Sequence, residues 1–402
     1  PAAAGVLVST EEATMPETAD APATLANWTR APHSRWGFRH VDALIRTAPI
    51  ARGPTVTPLE AGPPLDLAAI ALADGTESVA DVIETSDTDG FLVLHRGRVV
   101  AELYRGGQTP DDRRVLFSVS KSITAIVAGI VAGEGRLDPD APVTRYVPEA
   151  AGSAYGDATV RHVLDMTVSI RFVEDYLDPT GDFGRYRVAT DWSPPSPAVG
   201  PVEGGLRGFL MTLRRGDGPH GARFHYVSPN TDLLGLILER AAGEPFPGLM
   251  SRLLWAPLGA ERDAFITVDR HGAPRTAGGI CVTLRDLARF AEMVRNEGRV
   301  GDRRVAPAAW IADIRENGDR TAWTTSGASL AALMPDGHYR SKWYAVGDGA
   351  LVAIGVYGQW IYIDPAAEMV VVKQSSQPLP VDDPLKRRLL ASFRALGEHL
   401  AG

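Results

Sequence analysis

Two regions of the chain, one in its first third and one near its C-terminal end, carry short apolar runs, rich in Val, Ile, Leu and aromatic residues, that are typical of β-strands. Residues 90–104 hold two β-rich runs on either side of an Arg-Gly turn, which predicts a hairpin. Residues 351–357, 359–363 and 369–372 predict consecutive antiparallel strands, the last two joined by a tight turn. Because strands are predicted at both ends, we expect one sheet assembled from both.

Helical spacing of apolar residues dominates the middle of the chain. It recurs from Thr159 to about Leu254, between loops that are rich in Pro and Gly. A Thr-capped segment at 283–293 and the C-terminal residues 383–400 show the same spacing. The pattern therefore predicts an α+β fold, in which an antiparallel sheet is flanked by helices and carries an inserted, mainly helical lobe.

The length of 402 residues exceeds what one growing core usually accommodates, so two lobes are expected. Residues 1–60 are rich in Pro, Ala, Thr and acids and predict an irregular arm packed on the domain, with Trp28 and Trp36 as anchors. The sheet domain is predicted from residues 61–158 and 265–402, and the helical lobe from residues 159–264.

Composition excludes several classes of protein. A 45% hydrophobic and 22% charged content is that of a globular protein, and a net charge of −8 argues against a nucleic-acid partner. One cysteine excludes an internal disulfide, and no Cys/His cluster has zinc spacing, so we expect neither metal nor cofactor. No apolar run approaches a membrane span, and the first residues lack the features of a signal peptide. These observations predict a cytoplasmic protein with no membrane partner.

The first candidate for chemistry lies where a long apolar helix begins. Ser118 and Lys121 are three residues apart, so their side chains share one helix face directly before the apolar run 123–132. Only four of the 41 basic residues are lysines, and a desolvated lysine can release a proton near neutral pH whereas arginine cannot. The pair has the spacing of a nucleophile and its base, although a serine cap on a core helix has the same pattern.

A second candidate is Tyr226, which lies in a polar loop before another predicted helix. A neighbouring ammonium would lower the pKa of this phenol and make it a proton shuttle. The alternative is an ordinary loop tyrosine, with Asn230 or Thr231 as the helix N-cap.

Together these motifs resemble those of the serine β-lactamase-like hydrolases, a superfamily that includes class C β-lactamases, penicillin-binding proteins and esterases. The resemblance rests on residues 118–121, 137–143, 226–228 and 278–289. Residues 175–176, 226–232 and 355–359 are in addition similar to the 6-aminohexanoate-dimer hydrolases, which cleave a linear nylon oligomer. The likeness implies a β-lactamase/transpeptidase-like fold and a small-molecule ester or amide as substrate, with a possible homodimer.

The resemblance also implies roles for individual residues. Ser118 would be the nucleophile, Lys121 its activating amine and Tyr226 a proton relay. The backbone N–H groups of Ser118 and Val356 would form the oxyanion hole. The expected substrate-binding residues, among which Tyr176, Trp343 and Tyr344 would close an aromatic lid, are Tyr176, Arg187, Ala277, Trp343, Tyr344 and Tyr357.

Two departures from the family pattern shape the functional hypothesis. The edge strand carries no cationic side chain at residues 356–358, which lowers the expectation of penicillin recognition. Arg187 stands where the dimer hydrolases hold the substrate ammonium with an acidic residue, and like charges repel unless Asp182 or Asp191 substitutes. We therefore expect an esterase for small acyl groups, with amide hydrolysis secondary. The alternatives are a 6-aminohexanoate-dimer hydrolase and a catalytically inactive binding domain.

Overall fold

The long strands of the main sheet are buried on both faces and are therefore mostly continuous apolar runs. The computed structural model describes residues 22–402, so residues 1–21 of the predicted arm lie outside the described residues. The strands are Thr47–Ile50 (β1), Thr88–His95 (β2), Arg98–Tyr104 (β3), Arg114–Val115 (β4), Ile170–Arg171 (β5), Arg214–Arg215 (β6), Ala264–Thr267 (β7), Ile280–Val282 (β8), Arg299–Val300 (β9), Arg303–Arg304 (β10), His338–Arg340 (β11), Trp343–Ala345 (β12), Leu351–Gly355 (β13), Gln359–Asp364 (β14) and Met369–Ser375 (β15).

The helices lie mainly between and after these strands. Their bounds are Ser34–Gly37 (α1), Val79–Glu84 (α2), Val119–Gly133 (α3), Val160–Leu164 (α4), Asp182–Ala189 (α5), Gly205–Thr212 (α6), Pro229–Ala242 (α7), Phe246–Met250 (α8), Ala256–Leu258 (α9), Leu284–Arg295 (α10), Ala308–Glu316 (α11), Arg320–Thr324 (α12), Ser329–Leu333 (α13) and Asp383–Ala401 (α14). A π-helical turn at Ser251–Trp255 joins α8 to α9.

The main sheet has seven antiparallel strands in the order β11-β12-β13-β14-β15-β2-β3. The predicted hairpin is present as β2 and β3, and β2 pairs with β15, which joins the two ends of the chain. The Asp364 carboxylate stabilises the tight turn after β14, because it accepts hydrogen bonds from the backbone N–H groups of Ala366 and Ala367. The prediction of one sheet built from both ends is therefore confirmed.

Each face of this sheet packs against different helices, as a period of two requires. Along β15, Val370 and Val372 belong to the core shared with α3 and α10, whereas Val371 belongs to the core shared with α2 and α14. Thr283 caps α10 by accepting a hydrogen bond from the Asp286 N–H, as its position predicts.

Helix α3 lies in the interior, between the main sheet and α7. Its side chains from Val119 to Val131 are buried on every face, which explains why its apolar run is not interrupted by charge after Lys121. Residues 159–264 contribute helices α4 to α9 and the short β5–β6 ladder. The boundaries predicted for the two lobes stay a prediction.

The described part of the N-terminal arm is more regular than predicted. Strand β1 pairs with β7 in a four-stranded sheet of order β1-β7-β8-β4. Trp28 is fully buried and stacks on Phe117, with ring centroids 6.2 Å apart. Residues 22–60 are therefore part of the domain, because a buried tryptophan and a paired strand fix them to it.

Candidate active site

The first turn of α3 brings together the two residues that the sequence singles out. The Lys121 Nζ donates hydrogen bonds to the Ser118 Oγ at 2.8 Å and to the Ala277 carbonyl oxygen at 2.7 Å. Lys121 is only 2% exposed, whereas Ser118 is partly exposed. The amine is thus enclosed by protein while the hydroxyl faces open space.

The three serines of this turn have different surroundings. Ser120 is buried, and its Oγ accepts a hydrogen bond from the Ile280 N–H. Ser122 is buried as well, and its Oγ donates to the Lys342 carbonyl oxygen at 2.8 Å. Ser118 lines two cavities, and neither Ser120 nor Ser122 lines either of them, so Ser118 is the hydroxyl that a substrate in these cavities can reach.

Burial lowers the pKa of Lys121 to about 8, because desolvation disfavours the charged ammonium. The negative charges of Glu174 and Asp232 act in the opposite direction, and Arg275 adds to the lowering. A substantial fraction of Lys121 is therefore neutral in mildly alkaline solution, as a general base requires.

Tyr226 is the third member of this cluster. The Lys121 Nζ lies 5.2 Å from the centroid of its ring, and Ser118 and Tyr226 line a common cavity. Burial raises the pKa of Tyr226 well above its usual value, and Tyr344 and Glu174 raise it further. The expectation of a lowered phenol pKa is therefore wrong, because desolvation outweighs the hydrogen bond with Ser118, which acts in the opposite direction. Tyr226 is suited to donate a proton and not to act as a phenolate.

Backbone N–H groups lie beside Ser118 at the end of β13. A Cβ on Gly355 would come within 2.5 Å of the Leu116 carbonyl oxygen, so only glycine lets this strand approach the turn before α3. Val356 follows directly and lines the same cavities as Ser118. Within residues 22–402, the N–H groups of Ser118 and Val356 donate no hydrogen bond. Both donors are available to an oxyanion, and their role in an oxyanion hole stays a prediction.

Two open cavities meet at Ser118, Tyr176 and Val356, and the volumes given for them include the space at their mouths. We call the first, of about 440 Å³, the Arg187 cavity; its walls are Thr29, Phe117, Ser118, Lys121, Tyr176, Phe183, Arg187, Trp192, Ser228, Arg275, Ala277, Gly278, Val356 and Tyr357. The second, of about 690 Å³, is the Tyr226 cavity; its walls are Ser118, Tyr176, Phe224, Tyr226, Ala328, Ser329, Leu330, Tyr344, Ile354, Gly355, Val356, Pro380, Val381 and Lys386. A substrate bound across Ser118 would have one part in each.

The structure brings most of the predicted substrate-binding residues to these cavities. Tyr176, Arg187, Ala277 and Tyr357 line the Arg187 cavity, and Tyr344 lines the Tyr226 cavity.

Trp343 is the exception. It is fully buried and stacks on Phe290, with ring centroids 6.3 Å apart. Because Trp343 and Tyr344 are consecutive on β12, their side chains point to opposite faces and only one can reach the cavity. The expectation that Trp343 closes over substrate is therefore wrong.

Comparison with known proteins identifies the family. The family model described as Beta-lactamase matches residues 79–395. The chain belongs to the beta-lactamase family. It is 41% identical over 359 residues to a 6-aminohexanoate-dimer hydrolase of Paenarthrobacter ureafaciens, covering 89% of each chain. It is also 27% identical over 193 residues to Esterase EstB of Burkholderia gladioli, covering 45% of each.

Solved structures agree with this assignment. A Bacillus anthracis protein assigned provisionally as a 6-aminohexanoate-dimer hydrolase superposes with a TM-score of 0.84 at 24% identity, covering 94% of this chain and 98% of that one. At that identity the match shows the fold alone. The predicted β-lactamase/transpeptidase-like fold and the resemblance to dimer hydrolases are confirmed.

Within this beta-lactamase family site, the sequence analysis missed Glu174. Its carboxylate accepts hydrogen bonds from the Tyr176 hydroxyl at 2.9 Å and from both the hydroxyl and N–H of Ser228. An acidic residue in a loop has no motif of its own that reveals such a role. The one indication in the sequence is its position two residues before Tyr176, which is itself expected at the site.

Asp232 is a buried residue that stabilises the loop in contact with Lys121. Its carboxylate accepts a hydrogen bond from the Ala277 N–H at 2.7 Å and another from the Tyr186 hydroxyl. Because the Ala277 carbonyl in turn accepts from Lys121, Asp232 positions the loop that orients the amine. Asp232 lies one turn after Ser228 in α7, within the motif of residues 226–232 that also contains Tyr226.

Among residues 22–402, no group of three or more His, Cys, Asp or Glu side chains is arranged to hold a metal ion. No helix in that range has the length and apolar character needed to cross a membrane.

Proposed function

We propose that this serine hydrolase cleaves small carboxylic esters, and linear amides less readily, through an acyl-enzyme on Ser118. The observation that carries the proposal is the 2.8 Å hydrogen bond between the buried Lys121 Nζ and a partly exposed Ser118 Oγ at the junction of two cavities. Two unused backbone N–H groups beside that hydroxyl support it further.

In the first step, the Ser118 Oγ attacks the substrate carbonyl carbon while neutral Lys121 accepts the hydroxyl proton. The carbonyl π electrons move to oxygen and give a tetrahedral anion. The N–H groups of Ser118 and Val356 would stabilise this anion, because they are already oriented and need not be released from other partners.

In the second step, the anion collapses and the bond to the leaving oxygen or nitrogen breaks. The leaving group needs a proton, and Tyr226 is protonated because burial raises its pKa. Tyr226 passes its proton to the leaving group and regains one from the Lys121 ammonium. The leaving group therefore occupies the Tyr226 cavity and the acyl group the Arg187 cavity.

Water then attacks the acyl-enzyme by the reverse sequence. It gives one proton to the Lys121–Tyr226 pair, and the proton returns to the Ser118 oxygen as that bond breaks. The products are a carboxylic acid and the free serine. No other reactant is needed.

The charges around the Arg187 cavity favour esters over ammonium-terminated amides. Asp182 and Asp191 are the two carboxylates that could bind a substrate ammonium in place of the acidic residue of the dimer hydrolases. Both have other partners: Asp182 accepts a hydrogen bond from the Val173 N–H at 2.9 Å, and Asp191 pairs with Arg270. Neither lines the cavity. An ammonium group would therefore meet Arg187 with no carboxylate to offset the repulsion.

A second candidate is hydrolysis of the 6-aminohexanoate dimer as the main activity, which the 41% identical relative favours. Side-by-side turnover of p-nitrophenyl butyrate and the dimer separates the two candidates. We expect kcat/KM to be higher for the ester, and a clear preference for the dimer would contradict the proposal.

A third candidate, an inactive binding domain, predicts that a fluorophosphonate leaves Ser118 unlabelled. We expect labelling. The cytoplasmic location and the homodimer stay predictions from the sequence; light scattering of the purified protein tests the second.

A further inference from the structure

The guanidinium of Arg187 has no ionic partner among residues 22–402. Its Nε is buried without a hydrogen-bond acceptor, and no carboxylate lies within salt-bridge distance of the side chain. None of the residues that line the Arg187 cavity is acidic. By contrast, Arg270, in the loop after β7, is paired with Asp191. A charge enclosed by protein without a counterion is costly, so an unpaired one beside a cavity indicates a missing anion.

Arg275 adds a second positive charge to the same cavity. Its guanidinium carbon lies 3.8 Å from the ring centroid of Trp192 and 4.6 Å from that of Tyr186. It donates to the Thr190 hydroxyl, and its Nε also lacks an acceptor. Stacked aromatic rings fix the guanidinium, and the buried Asp232 carboxylate offsets part of its charge, so Arg187 supplies the charge of the cavity that has no counterion.

The nearest negative charges do not reach the cavity. The Asp232 carboxylate is buried and satisfied by the Ala277 N–H and the Tyr186 hydroxyl. Glu174 is bound to Tyr176 and Ser228 and faces another side of the site. Burial and the charge of Arg275 both lower the pKa of Arg187, which is the direction expected when positive charges share an enclosed space.

The remaining walls suit a short hydrocarbon chain. Phe117, Phe183, Trp192 and Ala277 line the same cavity as Ser118 and the two arginines. A group that fills it would therefore be apolar near the reacting carbonyl and anionic at its far end. A planar carboxylate matches the fork of a guanidinium with two parallel hydrogen bonds.

We propose that the acyl group of the substrate ends in a carboxylate, which binds Arg187, so that the enzyme hydrolyses half-esters of short dicarboxylic acids. This inference rests on the proposed function, because it assigns the acyl group to the Arg187 cavity. The reaction consumes one water, breaks the ester bond between acyl carbon and alkoxy oxygen, and yields the dicarboxylic acid and the alcohol. The carboxylate at the far end does not react.

Three methyl esters with the same six-carbon acyl length test the inference. Methyl hydrogen adipate ends in a carboxylate, methyl adipamate in a neutral amide of similar shape, and methyl 6-aminohexanoate in an ammonium. Release of acid or methanol gives kcat/KM for each. We expect the carboxylate ester to exceed the neutral ester about tenfold or more, and the ammonium ester to be the poorest.

Variants at position 187 assign the preference to its side chain. Arg187→Gln should reduce the carboxylate-to-neutral ratio of kcat/KM about tenfold, Arg187→Lys should keep part of it, and Arg187→Glu should turn the preference toward the ammonium ester. Arg185→Gln is the matched control, because Arg185 is exposed on the same helix α5. It should keep the wild-type ratio.

The outcomes separate this inference from the function on which it rests. Equal kcat/KM for the carboxylate and neutral esters in the wild type would overturn the inference, and this comparison does not depend on whether any variant folds. An unchanged ratio in a folded Arg187→Gln protein would overturn it as well. If Ser118 is labelled and neutral esters are cleaved without charge preference, only this inference fails. If no ester is cleaved and Ser118 stays unlabelled, both fail.

Discussion

Two regions of this molecule contain nearly the same arrangement of a buried lysine and a serine. Lys121 donates to the Ser118 Oγ at 2.8 Å and to one backbone carbonyl, and Lys373 donates to the Ser375 Oγ at 2.7 Å and to the Ser86 carbonyl. Burial lowers the pKa of both lysines, to about 8 for Lys121 and about 7 for Lys373. Proximity and a lowered pKa therefore do not distinguish a catalytic pair.

The difference lies in the serine and in what surrounds it. Ser375 is fully buried, and its hydroxyl lies within hydrogen-bonding distance of the Asp87 carbonyl at 2.7 Å. Ser118 is partly exposed, borders two cavities and has unused N–H groups beside it. Access for a carbonyl group and donors for its oxygen are what turn a Lys–Ser contact into a nucleophile.

The largest expected effect follows from removing each serine hydroxyl. Ser118→Ala should reduce kcat by at least about 10⁴-fold, because no nucleophile is left, while circular dichroism and thermal unfolding stay close to the wild type. Ser375→Ala should keep turnover but lower the free energy of unfolding by about 1–3 kcal/mol, since it leaves buried groups without partners. Retained turnover in Ser118→Ala would contradict the proposed mechanism.

The two lysines give the next contrast. Lys121→Met should reduce kcat/KM by about 10²- to 10⁴-fold through the loss of the base. Lys373→Met should keep kcat/KM within a few-fold of the wild type, because Lys373 contacts no cavity that Ser118 borders. Steady-state turnover of p-nitrophenyl butyrate measures both, and equal losses would remove the distinction between the regions.

Tyr226→Phe should lower kcat about 10²-fold, because the leaving group loses its proton donor. The loss should be smaller for p-nitrophenyl esters, whose leaving group is stable as an anion, than for methyl esters. Single-turnover rates on the two ester types give this ratio. An equal loss on both would argue against protonation of the leaving group by Tyr226.

The pH dependence of kcat/KM should report Lys121 and not Lys373. Activity should rise as the pH increases through about 8, because the neutral amine is the base and the ammonium is inactive. Below that midpoint the expected slope is about tenfold for each pH unit. A Lys373→Met protein should keep the midpoint, whereas a profile that falls with rising pH would contradict the assignment.

The smallest expected effect concerns Glu174 as a positioning residue. Glu174→Gln keeps a hydrogen-bond acceptor for Tyr176 but removes a charge that raises the pKa of Lys121. The pH midpoint should therefore move to a lower value, with only a few-fold change at the plateau. A purely structural role would reduce the plateau and leave the midpoint in place.

Much of the fold follows from local periodicity, and the site follows only in part. The hairpin of β2 and β3 can be predicted because two β-rich runs flank an Arg-Gly turn, and the terminal helix because its apolar residues recur at helical spacing. The pairing of β1 with β7 cannot be predicted from local patterns, because it joins short segments far apart in the sequence.

Site geometry depends on features that a one-dimensional pattern does not carry. Trp343 and Tyr344 are equally plausible from the sequence, and the pleat of β12 decides between them. The pKa of Tyr226 depends on its burial, which the sequence does not give. Glu174 reaches Ser228 only through the fold of the loop that carries it.

The central claim is that Ser118 forms an acyl-enzyme. Intact-protein mass spectrometry after brief exposure to p-nitrophenyl butyrate, followed by peptide mapping, tests it directly. We predict a butyryl adduct on the peptide that contains Ser118, absent from Ser118→Ala and unchanged in Ser375→Ala. Rapid ester turnover with no adduct on Ser118, or an adduct on another residue, would contradict the account.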